Sequence, residues 1–286
     1  MNDEVFHTKV TGSISHPHLP NIMNVVFNSA FRLLNLHYSH IPFDVHPRNL
    51  ETALKGISAL NIQGVSINHP HTESVIKYLD EVNGEASTIG LVNTIVNDGD
   101  RLIGYNTNIF GINEILKPFK EELIEKQISI FGAGAMAKTI LYTLIKNYRP
   151  KNILLFNRDQ QRAEKLKKFV RDELKFNAIK IIPYLNDDIL THNENSKLLI
   201  NATTVGMPPK IEECIIEPEA LRNDQIVLDF AYSQQETKLI QYAKAKKLKT
   251  IQGIDILLSH ASKTFELWVN KDLPAAEIKK IIAQVH

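Results

Sequence analysis

The stretch that decides the fold is residues 131–137, Phe-Gly-Ala-Gly-Ala-Met-Ala, near the middle of the chain. A short apolar run at 127–131 precedes it, and a helical pattern with an apolar stripe follows at 138–147. A strand, a tight turn and a helix in this order are typical of the first unit of a nucleotide-binding fold. Gly132 permits the turn, Gly134 lets backbone approach a pyrophosphate, and the helix N-terminus attracts its negative charge. The pattern therefore predicts dinucleotide binding.

Composition narrows the class of protein. The chain has 286 residues, with 33 basic and 32 acidic side chains and a net charge of +1. This length fits two domains of ordinary size, and the charge balance argues against a nucleic-acid or anionic-membrane partner. No apolar run approaches the ~20 residues that span a bilayer. With one cysteine, Cys214, and no secretion signal, we expect a cytoplasmic monomer or homodimer that acts on a small-molecule substrate.

Short apolar runs alternate with amphipathic segments on both sides of the glycine turn, which is typical of α/β proteins. A hairpin is predicted between residues 90–97 and 101–105, turned by Asn97-Asp98-Gly99. The remaining runs predict strands at 5–12, 40–45, 64–67, 152–156, 178–182, 197–201, 225–229 and 248–250, and helices at 22–35, 50–60, 75–82, 107–116, 254–268 and 275–285.

These elements predict an α/β fold with two domains. An N-terminal α/β substrate domain comprises residues 1–107 and is completed by the C-terminal helices at 254–286. A Rossmann NAD(P)-binding domain comprises residues 108–253. We expect a parallel sheet in each domain and expect substrate and nicotinamide to meet in a cleft between the two sheets.

Several short segments occur in a fixed order along the chain. They are Gly-Leu-Val-Asn-Thr at 90–94, Gly-Tyr-Asn-Thr-Asn at 104–108, the glycine turn at 132–137, Asn-Arg-Asp-Gln-Gln-Arg-Ala at 157–163, Asn-Ala-Thr-Thr-Val-Gly-Met at 201–207, Asp-Phe-Ala-Tyr at 229–232 and Thr-Ile-Gln-Gly at 250–253. Their order and spacing resemble the shikimate dehydrogenase family over nearly the whole chain, and in particular its shikimate dehydrogenase-like branch. The resemblance implies an oxidoreductase that transfers hydride between NAD(P) and a CH–OH group.

The family's proton-transfer pair is replaced in this chain. In the family, a lysine ends an Asn-Val-Thr-x-Pro-x-Lys segment, and an aspartate ends a Gly-x-Asn-Thr-Asp segment. Residues 66–72 here read Ser-Ile-Asn-His-Pro-His-Thr, so the resemblance puts Thr72 at the lysine position and Asn108 at the aspartate position. Neither side chain titrates near neutral pH, and a positioned acid or base contributes ~10²–10⁴ in rate.

The substrate contacts implied by the family are also altered. Two serines of a His-Ser-x-Ser-Pro segment hold the substrate carboxylate in the family, whereas residues 16–20 here are His-Pro-His-Leu-Pro. Asn68 replaces a threonine and His260 replaces a glutamine, while the family's asparagine and tyrosine are retained. The resemblance therefore implies substrate contacts from His16, Asn68, Asn93, Tyr232 and His260. So many changes favour a substrate other than shikimate.

By the family pattern, five histidines map to the cleft, namely His16, His18, His69, His71 and His260. One hypothesis is that His69 or His260, titrating near 6.5, replaces the lysine as acid or base. A second is a metal held by the two imidazoles of His69-Pro70-His71, although no carboxylate or cysteine joins them at ligand spacing, and we expect none. The third is that these histidines are ordinary polar loop residues.

The choice of cofactor depends on the residues after the second Rossmann strand. The family commonly has Asn-Arg-Thr there, and this chain has Asn157, Arg158 and Asp159. Arg158 favours the 2′-phosphate of NADP, whereas a carboxylate at Asp159 suits the ribose hydroxyl of NAD unless it serves as a helix N-cap. We expect NADP, with NAD as the alternative. The resemblance assigns cofactor contacts to Gly132, Ala133, Gly134, Ala135, Met136, Asn157, Arg158, Asp159, Arg162, Phe230 and Gly253.

Three functions are compatible with these observations. The leading one is an NAD(P)-dependent oxidoreductase of the shikimate dehydrogenase type that acts on a small keto or hydroxy compound other than shikimate. The second is an NAD(P)-binding protein without turnover, and the third is NADP-dependent shikimate dehydrogenase itself. The residues that define the substrate are those that have been replaced, so the sequence does not identify the substrate.

Overall fold

The computed structural model describes residues 8–17, 22–99, 101–232 and 236–284. His18, Leu19 and Pro20, which the sequence analysis places in the substrate loop, lie outside the described residues. The chain forms two compact units, Met1–Gly111 with Leu258–His286, and Ile112–Leu257. The predicted division at residues 107 and 253 falls four residues before each of these boundaries.

The first unit alternates strands and helices along most of its length. Its elements are β1 (Lys9–Ser15), α1 (Ile22–Leu33), β2 (Tyr38–Asp44), α2 (Leu50–Ala59), β3 (Gly64–Ile67), β4 (Glu81–Val82), α3 (Gly84–Ile89), β5 (Thr94–Asn97) and β6 (Leu102–Tyr105). The helix α4 (Thr107–Leu116) follows, and near the C-terminus come α10 (Gly253–Val269) and α11 (Ala275–Ile282). Both unit boundaries fall within helices, α4 and α10.

The sheet of the first unit has the order β2-β1-β3-β5-β6-β4. Strands β1, β2 and β3 are parallel, whereas β5 runs antiparallel to both of its neighbours. The antiparallel pair β5–β6 is the predicted hairpin, in which the Asn97 side chain accepts a hydrogen bond from Gly99 N at 3.1 Å. The apolar face of α2 packs on this sheet through Leu50, Leu54 and Ile57.

One predicted element of this unit is wrong. Residues 75–82 were expected to form a helix, but Ser74–Tyr78 make a short 3₁₀ helix and Glu81–Val82 pair with β6 as strand β4. A separate helix, α3, then ends at Gly90, whose φ of +69° is the left-handed conformation that stops helices. Local apolar spacing could not reveal this strand because each of its residues pairs with one 22 positions later in the chain.

The second unit has the predicted Rossmann fold. Its elements are α5 (Lys120–Leu123), β7 (Gln127–Phe131), α6 (Ala135–Tyr148), β8 (Asn152–Phe156), α7 (Gln160–Asp172), β9 (Ile179–Ile182), α8 (Asn186–His192), β10 (Ser196–Asn201), β11 (Ile226–Asp229), α9 (Lys238–Ala245) and β12 (Lys249–Gln252). All strand pairs are parallel, in the order β12-β11-β10-β7-β8-β9. The strand order therefore reverses between β7 and β10, which is where such sheets bind dinucleotides.

The strands of this sheet are apolar nearly throughout, as expected for a sheet covered on both faces. Ile128, Ile130, Leu155, Leu198 and Leu228 belong to one buried cluster together with side chains of α6. Phe131 stacks on Phe156 at 4.5 Å between ring centroids, and both rings belong to a second cluster. No helix in the described part of the chain is both long and apolar enough to cross a membrane.

A glycine-to-alanine substitution should have opposite effects on stability at two glycines of the first unit. At Gly64 an added Cβ would overlap Trp268 Nε1 and Ile95 O, which are hydrogen-bonded to each other at 3.0 Å, so Gly64→Ala should lower the free energy of unfolding by about 1–3 kcal/mol. At Gly56, in α2, a Cβ would meet no described atom within 4 Å apart from those of its own helix backbone and chain neighbours, so Gly56→Ala should raise the free energy of unfolding by about 0.5–1 kcal/mol. Urea denaturation measures both. Equal effects of the two substitutions would contradict this packing.

Candidate active site

The turn after β7 requires glycine at its first position. Gly132 has a φ of +109°, which side-chain-bearing residues rarely adopt, and its N–H donates to Phe156 O at 2.9 Å. A Cβ there would lie 3.0 Å from both Ala202 O and Thr203 Cγ2. Both the backbone conformation at residue 132 and the close approach of the loop that follows β10 therefore require glycine at this position.

The second glycine of the turn faces open space. Within the described part of the chain, no atom beyond the adjoining residues lies within 4 Å of a Cβ built on Gly134, and Gly134 and Ala135 are exposed. Gly134 is the N-cap of α6 and supplies no side-chain hydrogen bond, so the first N–H groups of this 14-residue helix remain available. Ala133 and Met136, half-buried beside the turn, pack against the core. This open cradle fits the pyrophosphate of a dinucleotide.

The residues after β8 include one carboxylate that already has partners, Asp159, and two cationic side chains, Arg158 and Arg162. Asp159 is the N-cap of α7 and accepts from Arg162 N at 3.0 Å, and its other oxygen lies 3.3 Å from Arg162 Nε. Asn157 Nδ2 donates to Asp159 O at 2.6 Å. Arg158 is exposed, and its guanidinium has no hydrogen-bond or ion-pair partner among the residues that the structure describes. The N-cap alternative for Asp159 is the observed one, and Arg158 remains available to an anion.

A buried polar cluster joins the loops that follow β10 and β11. Asp229 is completely buried, and its Oδ1 accepts from Asn201 Nδ2 at 2.8 Å and from Ala231 N at 2.9 Å. Thr237 Oγ1 donates to Asp229 Oδ2 at 2.5 Å. Burial, the largest influence, raises the pKa of Asp229 to about 6, although its three hydrogen bonds act in the opposite direction. Sequence reasoning did not assign a role to Asp229, although a carboxylate ending a buried strand was a signal.

The loop after β11 also contacts the start of α10. A Cβ on Gly253 would lie 2.8 Å from Ala231 O and 2.9 Å from Phe230 O, so glycine is needed for this close approach. Tyr232, in the same loop, is half-buried, and burial raises the pKa of its phenol. Tyr232 is therefore a hydrogen-bond donor at neutral pH.

The predicted substrate residues of the first unit lie at one edge of its sheet. His16 follows the end of β1, Asn68 follows β3, and Asn108 follows β6, and these three strands run in the same direction. Asn93 directly precedes β5, which runs in the opposite direction and so begins at the same edge. The topology brings these four residues to one end of the sheet.

Asn93 is held in a defined orientation. Its Oδ1 accepts from Thr107 N at 2.8 Å and lies 3.2 Å from the hydroxyl oxygens of Thr107 and Thr94. The Thr264 hydroxyl completes a buried group of three, at 3.1 Å from Thr94 Oγ1 and 3.0 Å from Thr107 Oγ1. Rotation of the amide would bring its NH₂ against the Thr107 N–H. Asn93 therefore offers its Nδ2, which has no partner among the described residues, as a donor.

Thr72 and Asn108 provide no charge at the positions where the family has lysine and aspartate. Both residues are half-buried, and neither side chain has a hydrogen-bond partner among the described residues. The Thr72 carbonyl accepts from Val92 N at 2.9 Å, which holds the backbone at this position. Proton transfer at this edge of the sheet would have to use another group.

The histidines around β1 and β3 differ in their environments. His16 Nδ1 lies 2.8 Å from Asp44 Oδ1, and its ring packs on His46 at 4.8 Å. His69 is exposed. His71 is completely buried, its Nε2 bonds to Val45 O at 2.8 Å, and burial, followed by nearby histidines, lowers its pKa despite that bond. Within the described ranges, no group of three or more histidine, cysteine or acidic residues is arranged to hold a metal ion.

His260 is the histidine that departs most from expectation. It packs against Gly111, where a Cβ would lie 2.9 Å from His260 Cβ, and its Nδ1 is buried without a partner among the described residues. Burial lowers the pKa of His260 to about 4. The imidazole is therefore neutral at pH 7, which corrects the expectation that it titrates near 6.5.

Comparison with known proteins agrees with this arrangement. Residues 10–95 match the shikimate dehydrogenase substrate-binding domain, and residues 114–231 match the shikimate / quinate 5-dehydrogenase family. A shikimate dehydrogenase (NADP(+)) of Methanocaldococcus jannaschii is 36% identical over 276 residues, covering 96% of this chain and 95% of its own. This chain belongs to the shikimate dehydrogenase family.

Solved structures show the same fold. A shikimate 5-dehydrogenase from Listeria monocytogenes in complex with shikimate and NAD has a TM-score of 0.88 at 29% identity, covering 99% of each chain. The ligand-free 5-ketofructose reductase of a Gluconobacter species has a TM-score of 0.86 at 26% identity, covering 98% of this chain and all of its own. Proteins named for different substrates therefore share this architecture.

The role of the glycine turn in cofactor binding can be tested by a substitution that the fold tolerates. Because space around Gly134 is open and its φ is −93°, Gly134→Val should fold normally yet fill the cradle for the pyrophosphate. We expect NADP affinity to fall roughly 10- to 100-fold, corresponding to a steric cost of about 1–3 kcal/mol. Gly84→Val, at another open position, is the control. Unchanged affinity in the Gly134 variant, measured by calorimetry, would mean that this turn only starts a helix.

Proposed function

We propose that this protein is an NADP-dependent oxidoreductase that interconverts a hydroxyl and a carbonyl group on a small hydroxylated substrate. The observation that carries the proposal is the open cradle at Gly134, with the uncapped N-terminus of α6 behind it and Arg158 available nearby. The family relatives named as NADP(+)-dependent support the same cofactor. NAD is the alternative, since related structures also contain it.

Several segments of the second unit would hold the cofactor. Residues 132–136 would bind the pyrophosphate, and Arg158 and Arg162 would bind the 2′-phosphate as cations. Asp159 repels that phosphate less than its charge suggests, because its carboxylate is paired with Arg162 and caps α7. Phe230 and Gly253 would face the other nucleotide. When bound, NADP accepts or supplies the hydride.

The first unit supplies groups for a polar, uncharged region of the substrate. Asn93 would donate from Nδ2 to a substrate oxygen, and Asn68 and Asn108 add amide groups at the same sheet edge. His260 is neutral and contributes as a hydrogen-bonding group, not as a cation. We propose His69 or His16 as the proton partner, since His69 is exposed and the carboxylate of Asp44 orients the His16 ring.

Two substrates are supported by different observations. The relatives named shikimate dehydrogenase, which cover more than nine-tenths of the chain, favour shikimate. Thr72 and Asn108 favour another compound, because they remove both the charged groups that the family uses for proton transfer. The 5-ketofructose reductase indicates that an uncharged keto sugar is a suitable class to test. A third possibility, cofactor binding without turnover, predicts no activity with either class.

A steady-state assay distinguishes these possibilities, with NADP⁺ or NAD⁺ as hydride acceptor for hydroxy compounds and NADPH or NADH as hydride donor for keto compounds. Shikimate and quinate form one arm of the assay, and uncharged keto sugars with their polyols form the other. We expect slow turnover of shikimate and faster turnover of an uncharged compound. Ordinary dehydrogenase rates on shikimate would establish the shikimate function, whereas NADP binding with no turnover in any arm would leave the non-catalytic alternative.

Removal of Arg158 should separate the two cofactors. Arg158→Ala deletes a cation that binds the 2′-phosphate, so NADP affinity should fall roughly 10- to 100-fold, the equivalent of about 1.5–3 kcal/mol for a hydrogen bond to a charged group. NAD affinity should change little. Arg171→Ala is the matched control, because Arg171 lies at the other end of α7 and pairs with Asp172. An equal loss for both cofactors would exclude Arg158 as the phosphate contact.

Restoring the family's charged pair tests whether its loss limits activity on shikimate. The double variant Thr72→Lys with Asn108→Asp should raise kcat on shikimate by ~10²-fold or more, because a positioned proton donor contributes ~10²–10⁴. Each single variant is a control, since one charge without its partner should give little of this gain. If the double variant gains nothing over an inactive parent, the altered substrate loop is the dominant barrier.

A further inference from the structure

The residues that follow β10 and β11 form a single hydrogen-bonded unit centred on Asp229. Besides its bond to Asp229, Asn201 Nδ2 donates to Val205 O at 3.0 Å, and Asn201 Oδ1 accepts from Thr203 N at 3.0 Å and Thr203 Oγ1 at 2.7 Å. Asp229 in turn holds Ala231 N and Thr237 Oγ1. One carboxyl group therefore connects the loop 202–206 to the loop 230–232 and to the start of α9.

These loops border the nucleotide cradle within the same unit. A Cβ on Gly132 would lie 3.0 Å from Ala202 O and Thr203 Cγ2, so the loop after β10 adjoins the glycine turn. In a doubly wound sheet of this order, one nucleotide lies over β7–β9 and the other over β10–β12. The glycine turn and Arg158 belong to the first half, so Asp229 lies at the strand ends of the half that receives the nicotinamide nucleotide.

We propose that Asp229 is a positioning residue for the nicotinamide half of the cofactor site, and that the gain or loss of its proton changes cofactor affinity. The inference rests on the proposed function, because it requires that NADP binds. It gives a role to Asp229, the one polar residue of the Asp-Phe-Ala-Tyr segment to which neither a substrate nor a cofactor contact has been assigned.

Geometry shows why the charged form holds the loops better. A carboxylate is an acceptor only, and all three groups that reach Asp229 donate to it. Hydrogen bonds to a charged acceptor are roughly twice as strong as hydrogen bonds between neutral groups. In addition, a proton on Asp229 Oδ2 would face the hydrogen that the Thr237 hydroxyl donates to the same oxygen. Protonation therefore weakens the connection between the two loops.

The surroundings of Asp229 place this change near neutral pH. Its carboxyl is completely buried, and no cation among the described residues acts on it. The titratable group nearby is the Cys214 thiol, and the charge of Asp229 helps to raise the pKa of that thiol. Burial raises the pKa of Asp229 to about 6. Between about pH 4 and 6 the folded protein then binds more protons here than the unfolded chain, so this group's contribution to stability falls as pH rises.

The test compares NADP affinity of the wild type and Asp229→Asn from pH 5 to 8 by calorimetry. The ratio of the two dissociation constants isolates Asp229, because the 2′-phosphate titrates equally in both experiments. We expect a ratio near one at pH 5 that rises to about tenfold at pH 8, corresponding to a pKa lowered by about one unit on binding. Asp224→Asn is the control, since Asp224 is exposed and pairs with Lys197. It should reproduce the wild-type profile.

Two further measurements keep the test decisive. The free energy of unfolding without cofactor should fall between about pH 4 and 6 more steeply in the wild type than in Asp229→Asn. If Asp229→Asn does not fold, Thr237→Val, which removes one donor, should move the midpoint of the affinity profile to higher pH, while Thr237→Ser should not. A ratio that is constant with pH, or an unshifted Thr237→Val midpoint, overturns this inference alone. A wild type that binds NADP at no pH overturns the proposed function with it.

Discussion

The close approach of backbone at Gly132 is the constraint on which the nucleotide half of this protein depends. At this position the chain leaves β7 with a left-handed conformation and passes within van der Waals contact of the loop after β10. Only glycine satisfies both conditions without strain. Because the turn is tight, α6 begins directly above the strand ends, and its free N–H groups point to the crevice where the strand order reverses.

The chemistry available in the first unit is shaped by the absence of charge at two positions. With Thr72 and Asn108 uncharged, the side chains at this sheet edge are amides, hydroxyls and imidazoles, together with the Asp44 carboxylate that pairs with His16. The three hydroxyl groups of Thr94, Thr107 and Thr264 surround Asn93 and orient it as a donor. Amide, hydroxyl and imidazole groups can form hydrogen bonds to hydroxyl and carbonyl oxygens. Membership of the family and retention of the cofactor cradle are thus compatible with a change of substrate.

Burial affects the pKa values of the titratable groups at these sites more than their neighbours in sequence do. His260 lies in α10 and Asp229 ends β11, and desolvation shifts their pKa values in opposite directions, to about 4 and about 6. Each shift favours the neutral form, because burial removes the charge from water; at Asp229 the three hydrogen bonds offset only part of this effect. The two groups nevertheless differ in role, since His260 is neutral at pH 7 and Asp229 is mostly ionised.

The sequence by itself determined the Rossmann unit, because alternating apolar runs and the Gly132 turn are local patterns that parallel sheets require. It also determined that Thr72 and Asn108 carry no charge. Only the tertiary structure decided that strand β4 lies at the end of a predicted helix and that the Asp159 carboxylate pairs with Arg162. It also decided that the imidazole of His260 is neutral at pH 7. These outcomes depend on burial and on partners brought together by folding. Local spacing does not contain that information, since a pKa or a strand partner is set by the whole environment.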